Sequence, residues 1–160
     1  MFKVGDKVVC PMRGCGIVET IEDRKISDNV QEYTVIKIFN SSMTITLPTE
    51  RLSNSRFRLI SDIATMEDAL QMLSEKAAPS DDALTAKDRL KNNTAKITSG
   101  SLKEYAEVVR DLTSIQKEKT LNAGERNVLL NAKKFLVDEL SLIKNVPEDQ
   151  VTVLIDKELA

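Results

Sequence analysis

The hydrophobic period of the sequence changes near residue 60, and this change constrains the fold more than any other feature. Before it, apolar and polar residues alternate, as where Met43, Ile45 and Leu47 are separated by threonines, and a period of two is typical of half-buried strands. After it, apolar residues recur every three or four positions, which is typical of amphipathic helices. The sequence therefore predicts a β domain over residues 1–60 followed by an α domain over residues 61–160.

The first domain contains about five short predicted strands. They lie at Lys7–Cys10, around 17–21, 33–39 and 43–47, and at 57–60, and clusters of turn-forming residues separate them. Pro48 should stop the fourth strand, because proline lacks the amide donor of a ladder. Five short strands in about 60 residues must hide their edges and one apolar face, so we expect a small, highly bent sheet or barrel.

The second domain is predicted to be a compact bundle of about five helices. The first carries an apolar stripe from Ile63 to Leu73, and the second, between about Asp81 and Thr98, has few apolar positions and a cationic face. Three later helices pack by the stripes Tyr105, Val108, Val109, Leu112 and Ile115, then Val128, Leu129, Ala132, Phe135, Leu136, Leu140 and Ile143, and finally a run from Pro147 to Leu159.

Helix boundaries in this half are marked by capping patterns. Ser101-x-x-Glu104 reads as a capping box, and Gly100 suits the end of the preceding helix. Asn122-x-x-Glu125 repeats the capping pattern. Pro147 suits a first helical turn. These residues fix where three of the helices should begin.

Composition excludes several classes of activity. The chain has no histidine, so histidine acid/base catalysis and His-rich metal sites are excluded. Cys10 and Cys15 could supply at most two of the four ligands of a structural zinc, and we expect them to be reduced, buried thiols. Gly14-x-Gly16 is too short for a dinucleotide fingerprint. We therefore expect no enzymatic activity, no metal and no cofactor.

The termini and apolar runs predict a cytoplasmic protein. The longest apolar runs have about five residues, such as Val151 to Ile155, and about 18 or more are needed to cross a bilayer. The first ten residues lack the apolar core of a signal peptide. We expect neither secretion nor a membrane partner.

Charge is distributed unevenly along the second half of the chain. Residues 83–135 contain eleven Lys or Arg and six Asp or Glu, a net charge of +5, whereas residues 61–82 carry −5 and residues 136–160 carry −4. A segregated positive field can attract a polyanion even when the total charge is negative. The alternative is that these charges only solvate exposed helix faces.

Specific residues resemble one family. In the first domain they are the run Phe2 to Pro11, Gly14, Gly16-Ile17-Val18, Glu32 to Lys37, and Leu47-Pro48; in the second they are Ser99-Gly100-Ser101, Ala106 to Leu112, Leu121 to Arg126, and Asp138-Glu139-Leu140. This pattern resembles the CarD family of bacterial transcription regulators. The first-domain pattern is also similar to the polymerase-binding module of the transcription-repair coupling factor, and the helical half selects the stand-alone regulator.

The resemblance implies a fold, a function and partners. It implies a small Tudor-like β-barrel that binds the β subunit of RNA polymerase, followed by a helical domain that contacts promoter DNA near the upstream edge of the melted region. Such a protein would modulate the formation and stability of the open complex. We expect a monomer, with a domain-swapped dimer as the alternative. The alternative function is a polymerase-binding adaptor whose helical domain recruits a protein partner with little DNA contact.

For the polymerase, the resemblance implies contacts on two neighbouring strands. One strand contains Arg24, Lys25 and Ile26, and the other contains Met43, Ile45 and Thr46. Such docking fits strand addition, in which main-chain pairing gives affinity and alternate side chains give specificity. Position 46 is often basic in relatives, so a charged contact is missing here. The alternative is that all six are simply edge residues of the barrel.

For DNA, the resemblance places Arg89, Lys91 and Arg126 at positions that are basic in relatives, and spacing adds Lys87 and Lys133. Cations at such sites neutralise phosphates without reading base sequence. The DNA contact should therefore be of low sequence specificity and confined to the backbone and the minor groove.

The resemblance also implies a lost wedge. Many relatives carry, near the start of this helix, a tryptophan that inserts into the minor groove, and the corresponding position here is Ala86. A methyl group cannot hold unstacked bases, and the neighbouring Asp88 repels phosphate. Either Leu84 takes over the apolar role, or this protein anchors DNA weakly and depends more on its polymerase contact.

Overall fold

A computed structural model describes residues 2–39, 41–53, 55–77 and 85–160. The chain forms two compact units, residues 1–60 and 61–160. The first is built from strands and the second from helices. The predicted layout of β followed by α is confirmed.

The first unit is a five-stranded antiparallel sheet. Its strands are β1 (Lys7–Cys10), β2 (Gly14–Ile26), β3 (Asn29–Ile38), β4 (Thr44–Pro48) and β5 (Arg58–Leu59), with one short helix, α1 (Thr49–Leu52), between the last two. The order across the sheet is β4-β3-β2-β1-β5. All five strands were predicted, whereas α1 was not.

The predicted closure into a barrel is wrong for the described residues. β4 and β5 lie at opposite ends of the sheet and do not pair with each other. β5 has only two residues, so it is too short to close a barrel. The sheet core is formed by Val8, Cys10, Val18, Ile36 and Ile38, and the side chains of Phe2 and Phe57 pack against it. Because two aromatic residues outside the strands cover the core, closure is not required to bury it.

The two longest strands form a ribbon that extends beyond the rest of the sheet. β2 pairs with β3 from Gly16↔Ile38 to Ile26↔Asn29, with a register shift between Val18 and Thr20. β1 reaches only to Ile17, and β4 reaches only to Tyr33. The far part of the ribbon therefore has no neighbouring strand among the described residues, and most of its side chains are exposed.

In its described residues the second unit contains five helices, as predicted. They are α2 (Ile63–Ser74), α3 (Ala86–Ser99), α4 (Leu102–Glu118), α5 (Ala123–Lys144) and α6 (Glu148–Leu159). The predicted stripes of α4 and α5 form the core, where the rings of Tyr105 and Phe135 lie 5.7 Å apart. In α2 the stripe begins later than predicted, since Ile63 is exposed and Met66 is the first buried residue. No helix in the described ranges is long and apolar enough to span a bilayer.

The predicted helix boundaries at Gly100, Ser101 and Asn122 are confirmed, but not every predicted capping hydrogen bond is formed. Gly100 ends α3 in the left-handed conformation at φ 83°, and the Asn122 side chain accepts the Glu125 N–H at 2.8 Å. Ser101 precedes α4 but its side chain makes no capping bond. Glu104 instead contacts the Ser99 hydroxyl, so the boundary is correct and the capping box is not formed.

The cationic helix starts later than predicted. Thr85 is extended, and its hydroxyl accepts the Asp88 N–H at 3.1 Å, so α3 begins at Ala86. The predicted start near Asp81, and Leu84 with it, lie outside the described residues.

Candidate binding surfaces

β4 is an edge strand whose backbone is available on one side. The Ile38 N–H donates to the Met43 carbonyl, which places Ile45 and Leu47 in the hydrogen-bonded pairs of the β3–β4 register. Backbone groups of the alternate residues, Thr44 and Thr46, therefore point away from β3. No strand covers this side among the described residues.

Pro48 limits the length of this edge. It is the last residue of β4 and pairs with Tyr33 across a position whose backbone groups face outward. Proline has no N–H, and Pro48 is the N-cap of α1, where its carbonyl accepts the first helical hydrogen bond, so it contributes little to an added strand. The edge can thus form a short ladder centred on Thr44 and Thr46.

The structure separates the six predicted polymerase residues into two groups. Arg24, Lys25 and Ile26 lie on the far part of β2 and pair with β3 residues 29–31. Thr46 pairs with Val35 of β3, four residues from Gln31, so the two groups are at least about 13 Å apart along the strands. β3 lies between β2 and β4. The prediction that they occupy neighbouring strands is therefore wrong.

The members of these groups also differ in exposure. Arg24 forms an ion pair with Glu22 at 3.1 Å and lies 5.6 Å from the centre of the Tyr33 ring, whereas Ile26 is 56% exposed. Met43 precedes β4 and is exposed, whereas Ile45 packs against the sheet core. The Ile45 side chain thus anchors β4 to the core of the sheet.

An open groove lies beside the end of β4. Its volume is about 820 Å³, and its lining includes Tyr33, Pro48, Arg51 and Phe57. The buried hydroxyls of Thr34 and Thr49 are 2.7 Å apart and connect β3 to α1. This bond fixes one wall of the groove relative to the β4 edge.

In the second unit, α3 presents two exposed lysines on one face. Lys87 and Lys91 are four residues apart, which places them on the same side of a helix. Both are exposed, and neither forms an ion pair within the part of the chain that the structure describes. They are therefore available to an anionic partner.

Arg89 has a different environment from these lysines. Its Nε lies 2.7 Å from Glu125 Oε1 and its second terminal nitrogen 3.2 Å from Glu125 Oε2, a bidentate contact between α3 and α5. The Arg89 side chain is 18% exposed and the Glu125 side chain 3%. This internal ion pair argues against the predicted phosphate contact, because the guanidinium is already neutralised.

Arg126 and Lys133 are intermediate cases on α5. Arg126 is exposed and donates to the Leu121 carbonyl at 3.2 Å, so its charge is not compensated by that bond. Lys133 pairs with Asp156 of α6 at 2.8 Å in a half-exposed contact. Exposed pairs of this kind contribute little stability and can exchange the carboxylate for a phosphate.

Nearly half of the cations in the positive block form internal ion pairs. Within the described residues, five of its eleven cations form ion pairs inside the helical unit: Arg89, Lys96, Lys103, Arg110 and Lys133. Two partner acids, Glu107 and Glu125, are already subtracted in the net charge of +5, whereas Asp68, Glu75 and Asp156 lie outside the block and lower the field that a polyanion would meet.

At the start of α3, the position where many relatives carry a tryptophan wedge is occupied by alanine. Ala86 is the first residue of the helix and is exposed. Asp88 lies in the same turn, where the positive end of the helix dipole favours a carboxylate. Its position thus has a local structural explanation.

The two cysteines lie on adjacent strands and are buried without a disulfide. Burial raises the pKa of the Cys10 thiol to about 12, so this thiol stays protonated and unreactive at neutral pH. No cluster of possible metal ligands occurs among the residues that the structure describes.

Within the described residues, these features define a two-unit protein with an open strand edge in the β unit and a lysine-bearing helix face in the α unit. The family described as "CarD-like/TRCF RID domain" matches residues 2–63, and the one described as "CarD, C-terminal domain" matches residues 68–156. The chain therefore belongs to the CarD family. It is similar to a Bacillus subtilis (strain 168) protein named "Putative transcription factor YdeB", with 42% identity over 151 residues that cover 94% of this chain and 97% of the relative.

Sequence reasoning missed two features of these surfaces. Glu125 was assigned only a capping role. Its ion pair with Arg89, 36 positions earlier, cannot be predicted from neighbouring residues in the sequence. The outward direction of the Thr44 and Thr46 backbone depends on the register with β3. Pro48 at the strand end was the only sequence sign of an edge.

Proposed function

We propose that this protein regulates transcription by binding RNA polymerase through its first unit and promoter DNA through its second, and so changes the formation and lifetime of the open complex. The observation that carries the proposal is the combination, in one CarD-family chain, of an open β4 edge and an exposed pair of α3 lysines. The protein acts by binding, without catalysis, in the cytoplasm.

The polymerase contact is strand addition to β4, with the β subunit as partner. Thr44 and Thr46 offer outward backbone groups, and main-chain pairing would supply the affinity. The groove beside Pro48 accepts a side chain of the added strand. Arg24, Lys25 and Ile26 form a second, separate contact on the ribbon.

A proline at position 46 tests this contact. Thr46→Pro removes an outward N–H but leaves the β3 ladder intact, and proline is tolerated on the free side of an edge strand. We expect Thr46→Pro to reduce polymerase binding by about tenfold or more, the effect of losing one or more hydrogen bonds. Binding is measured by titration of the holoenzyme.

Thr46→Ala is the matched control, because it removes the side chain and keeps the N–H. It should bind within about threefold of the original protein. Equal binding by the proline variant would exclude main-chain pairing at β4, and loss of binding by both variants would indicate side-chain recognition.

The DNA contact uses exposed cations of α3 and the start of α5. Lys87, Lys91 and Arg126 contact phosphates, and Lys133 joins them at the rim after leaving Asp156. Phosphate contacts position a protein without reading sequence, and a wedge is absent at Ala86. We therefore propose a weak DNA contact that becomes effective only when polymerase holds the protein beside the promoter.

Neutral substitutions test the DNA contact. Lys91→Gln and Arg126→Gln should each reduce the effect of the protein on open-complex lifetime. Each should also lower the slope of the logarithm of its apparent affinity against the logarithm of salt concentration by about 0.9, the value for one phosphate contact. Lys144→Gln is the control, since Lys144 is exposed on α5 about 27 Å along the helix from Arg126. An unchanged salt slope in both test variants would contradict the assignment.

A second function is favoured by the internal ion pairs. Since five cations of the positive block are neutralised within the unit, the helical unit could instead recruit a protein while barely touching DNA. A footprint of the polymerase–promoter complex separates the two functions. Added protection at the upstream edge supports DNA contact, and its absence supports the adaptor.

A further inference from the structure

We infer that Arg89 is a positioning residue that acts through Glu125 to hold the lysine-bearing part of α3 against α5. This inference rests on the proposed DNA contact of α3. According to this inference, Arg89 does not contact DNA phosphates. Its guanidinium instead forms an ion pair inside the protein.

The contact between Arg89 and Glu125 is a bidentate ion pair. Both carboxylate oxygens of Glu125 are engaged, at 2.7 and 3.2 Å from two Arg89 nitrogens, and a bidentate pair fixes orientation as well as distance. Glu125 is itself held, because its N–H donates to the Asn122 side chain. Beside it, Leu90 approaches Gly124 so closely that an added Cβ would lie 3.0 Å from Leu90 Cδ2.

The position of Arg89 determines where the lysines point. Lys87 and Lys91 are each two residues from Arg89, and two residues correspond to about 200° around an α-helix. When Arg89 faces α5, both lysines must face away from it. The ion pair therefore sets the direction of the proposed phosphate contacts.

Among the residues that the structure describes, the first half of α3 has few other attachments. The helix has 14 residues and buries only Asn93 and Ile97, with Leu90 partly buried. Its second half is further held by Lys96, which pairs with Glu107 of α4 at 2.7 Å. An isolated helix of this length is only marginally stable. Loss of the Arg89 contact should thus loosen the turns that carry Lys87 and Lys91.

Breaking one partner and replacing both have different consequences. Arg89→Met leaves the Glu125 carboxylate buried without its cation, which is strongly unfavourable. The double variant Arg89→Met with Glu125→Met removes both charges, and such an apolar replacement is often neutral or stabilising. The double variant therefore restores the packing of α3 without restoring a cation at position 89.

The experiment compares these variants in the full chain by two measurements. Amide hydrogen exchange over residues 86–93 reports the order of α3, and open-complex lifetime with holoenzyme on one promoter reports function. Arg89→Met should accelerate exchange by about tenfold or more, as for a loss of local stability, and should abolish most of the effect on lifetime. The double variant should return both quantities to within about threefold of the original. Lys91→Met is the control and should reduce the lifetime effect with unchanged exchange.

The outcomes separate positioning from direct contact. If the double variant restores slow exchange but not the lifetime effect, Arg89 contacts DNA itself and the inference is wrong. Unchanged exchange in Arg89→Met also overturns it. If Arg89→Met does not fold, the double variant decides: a lifetime effect within about threefold of the original supports the inference, and loss of that effect overturns it. If the original protein has no effect on the open complex, the proposed function fails, and the exchange rates still decide whether the pair orders α3.

Discussion

Position 16 has no room for a side chain in the first unit. A Cβ built on Gly16 would lie 2.5 Å from Ile36 Cγ2 and 2.9 Å from the Lys37 carbonyl oxygen. The isoleucine could rotate, but the backbone oxygen belongs to the β2–β3 ladder and cannot move without disturbing it.

We predict that Gly16→Ala destabilises the first unit by about 1–3 kcal/mol, the usual cost of overpacking. Urea unfolding with a probe in the sheet measures this change. Glu19→Gln, an exposed position of the same strand, should remain within about 0.5 kcal/mol. Equal stability of Gly16→Ala and the control would contradict the close approach.

The Asp138 carboxyl is buried in the helical unit, and its burial disfavours the ionised form. Burial, together with a hydrogen bond and repulsion from Glu148, raises the pKa of Asp138 to about 7, and Lys134 opposes the rise. The folded state therefore keeps this proton up to about pH 7, whereas the unfolded chain loses it above its usual pKa of 3.8. Stability from this group is present below pH 4 and is lost as the pH rises to about 7.

We predict that Asp138→Asn removes this dependence. Asparagine can still donate a hydrogen bond to Glu148 but cannot ionise. At each pH we compare the free energy of unfolding of the variant with that of the original protein. This difference should favour the variant more at pH 8 than at pH 4, by on the order of 1–2 kcal/mol. Denaturation at both values measures the difference, and parallel stability curves would exclude the raised pKa.

Among the helices, α5 is the element on which the second unit depends. It contributes eleven buried residues, and its first turn carries both the Asn122 cap and the Glu125 partner of Arg89. A change at the cap therefore affects the end of α5 that supports α3.

We predict that Asn122→Ala destabilises the unit by about 1 kcal/mol, because the Glu125 N–H loses its acceptor. Asn127→Ala is the matched control, since Asn127 is exposed within the same helix and alanine has the higher helix propensity there. Thermal unfolding should show a lower midpoint only for the cap variant. A midpoint that falls equally for both would exclude the cap as the cause.

The proposed function belongs to the whole chain, because it requires one molecule to hold two partners. If polymerase binding delivers the helical unit to DNA, each contact is effective only while the other is intact. The local concentration created by one contact compensates for the weakness of the second.

We predict that Thr46→Pro alone, and Lys87→Glu with Lys91→Glu, each remove most of the effect on open-complex lifetime at a concentration that just saturates the original protein. The combined variant should be no worse than either. Lifetimes on one promoter at constant salt provide the measurement. Additive partial losses would show that the two units act independently, and bridging would then be wrong.

The sequence by itself determined the order of elements, because the hydrophobic period, prolines, glycines and caps are local signals. Period two gave five strands and period 3.6 gave five helices, and Gly100 and Asn122 marked helix ends correctly. The family was also evident from residues in both halves. These properties depend on neighbours within a few positions, so they can be read from the chain.

Only the tertiary structure decided what the charged and edge residues do. Arg89 and Lys91 are two positions apart and look alike in sequence, yet one pairs with Glu125 and the other is exposed. Likewise, the order of strands separated Arg24 from Thr46, and among the described residues the sheet is open where a barrel was expected. A cation binds whichever anion the fold brings to it, and a strand edge exists only where no other strand pairs, so both outcomes depend on residues distant in the chain.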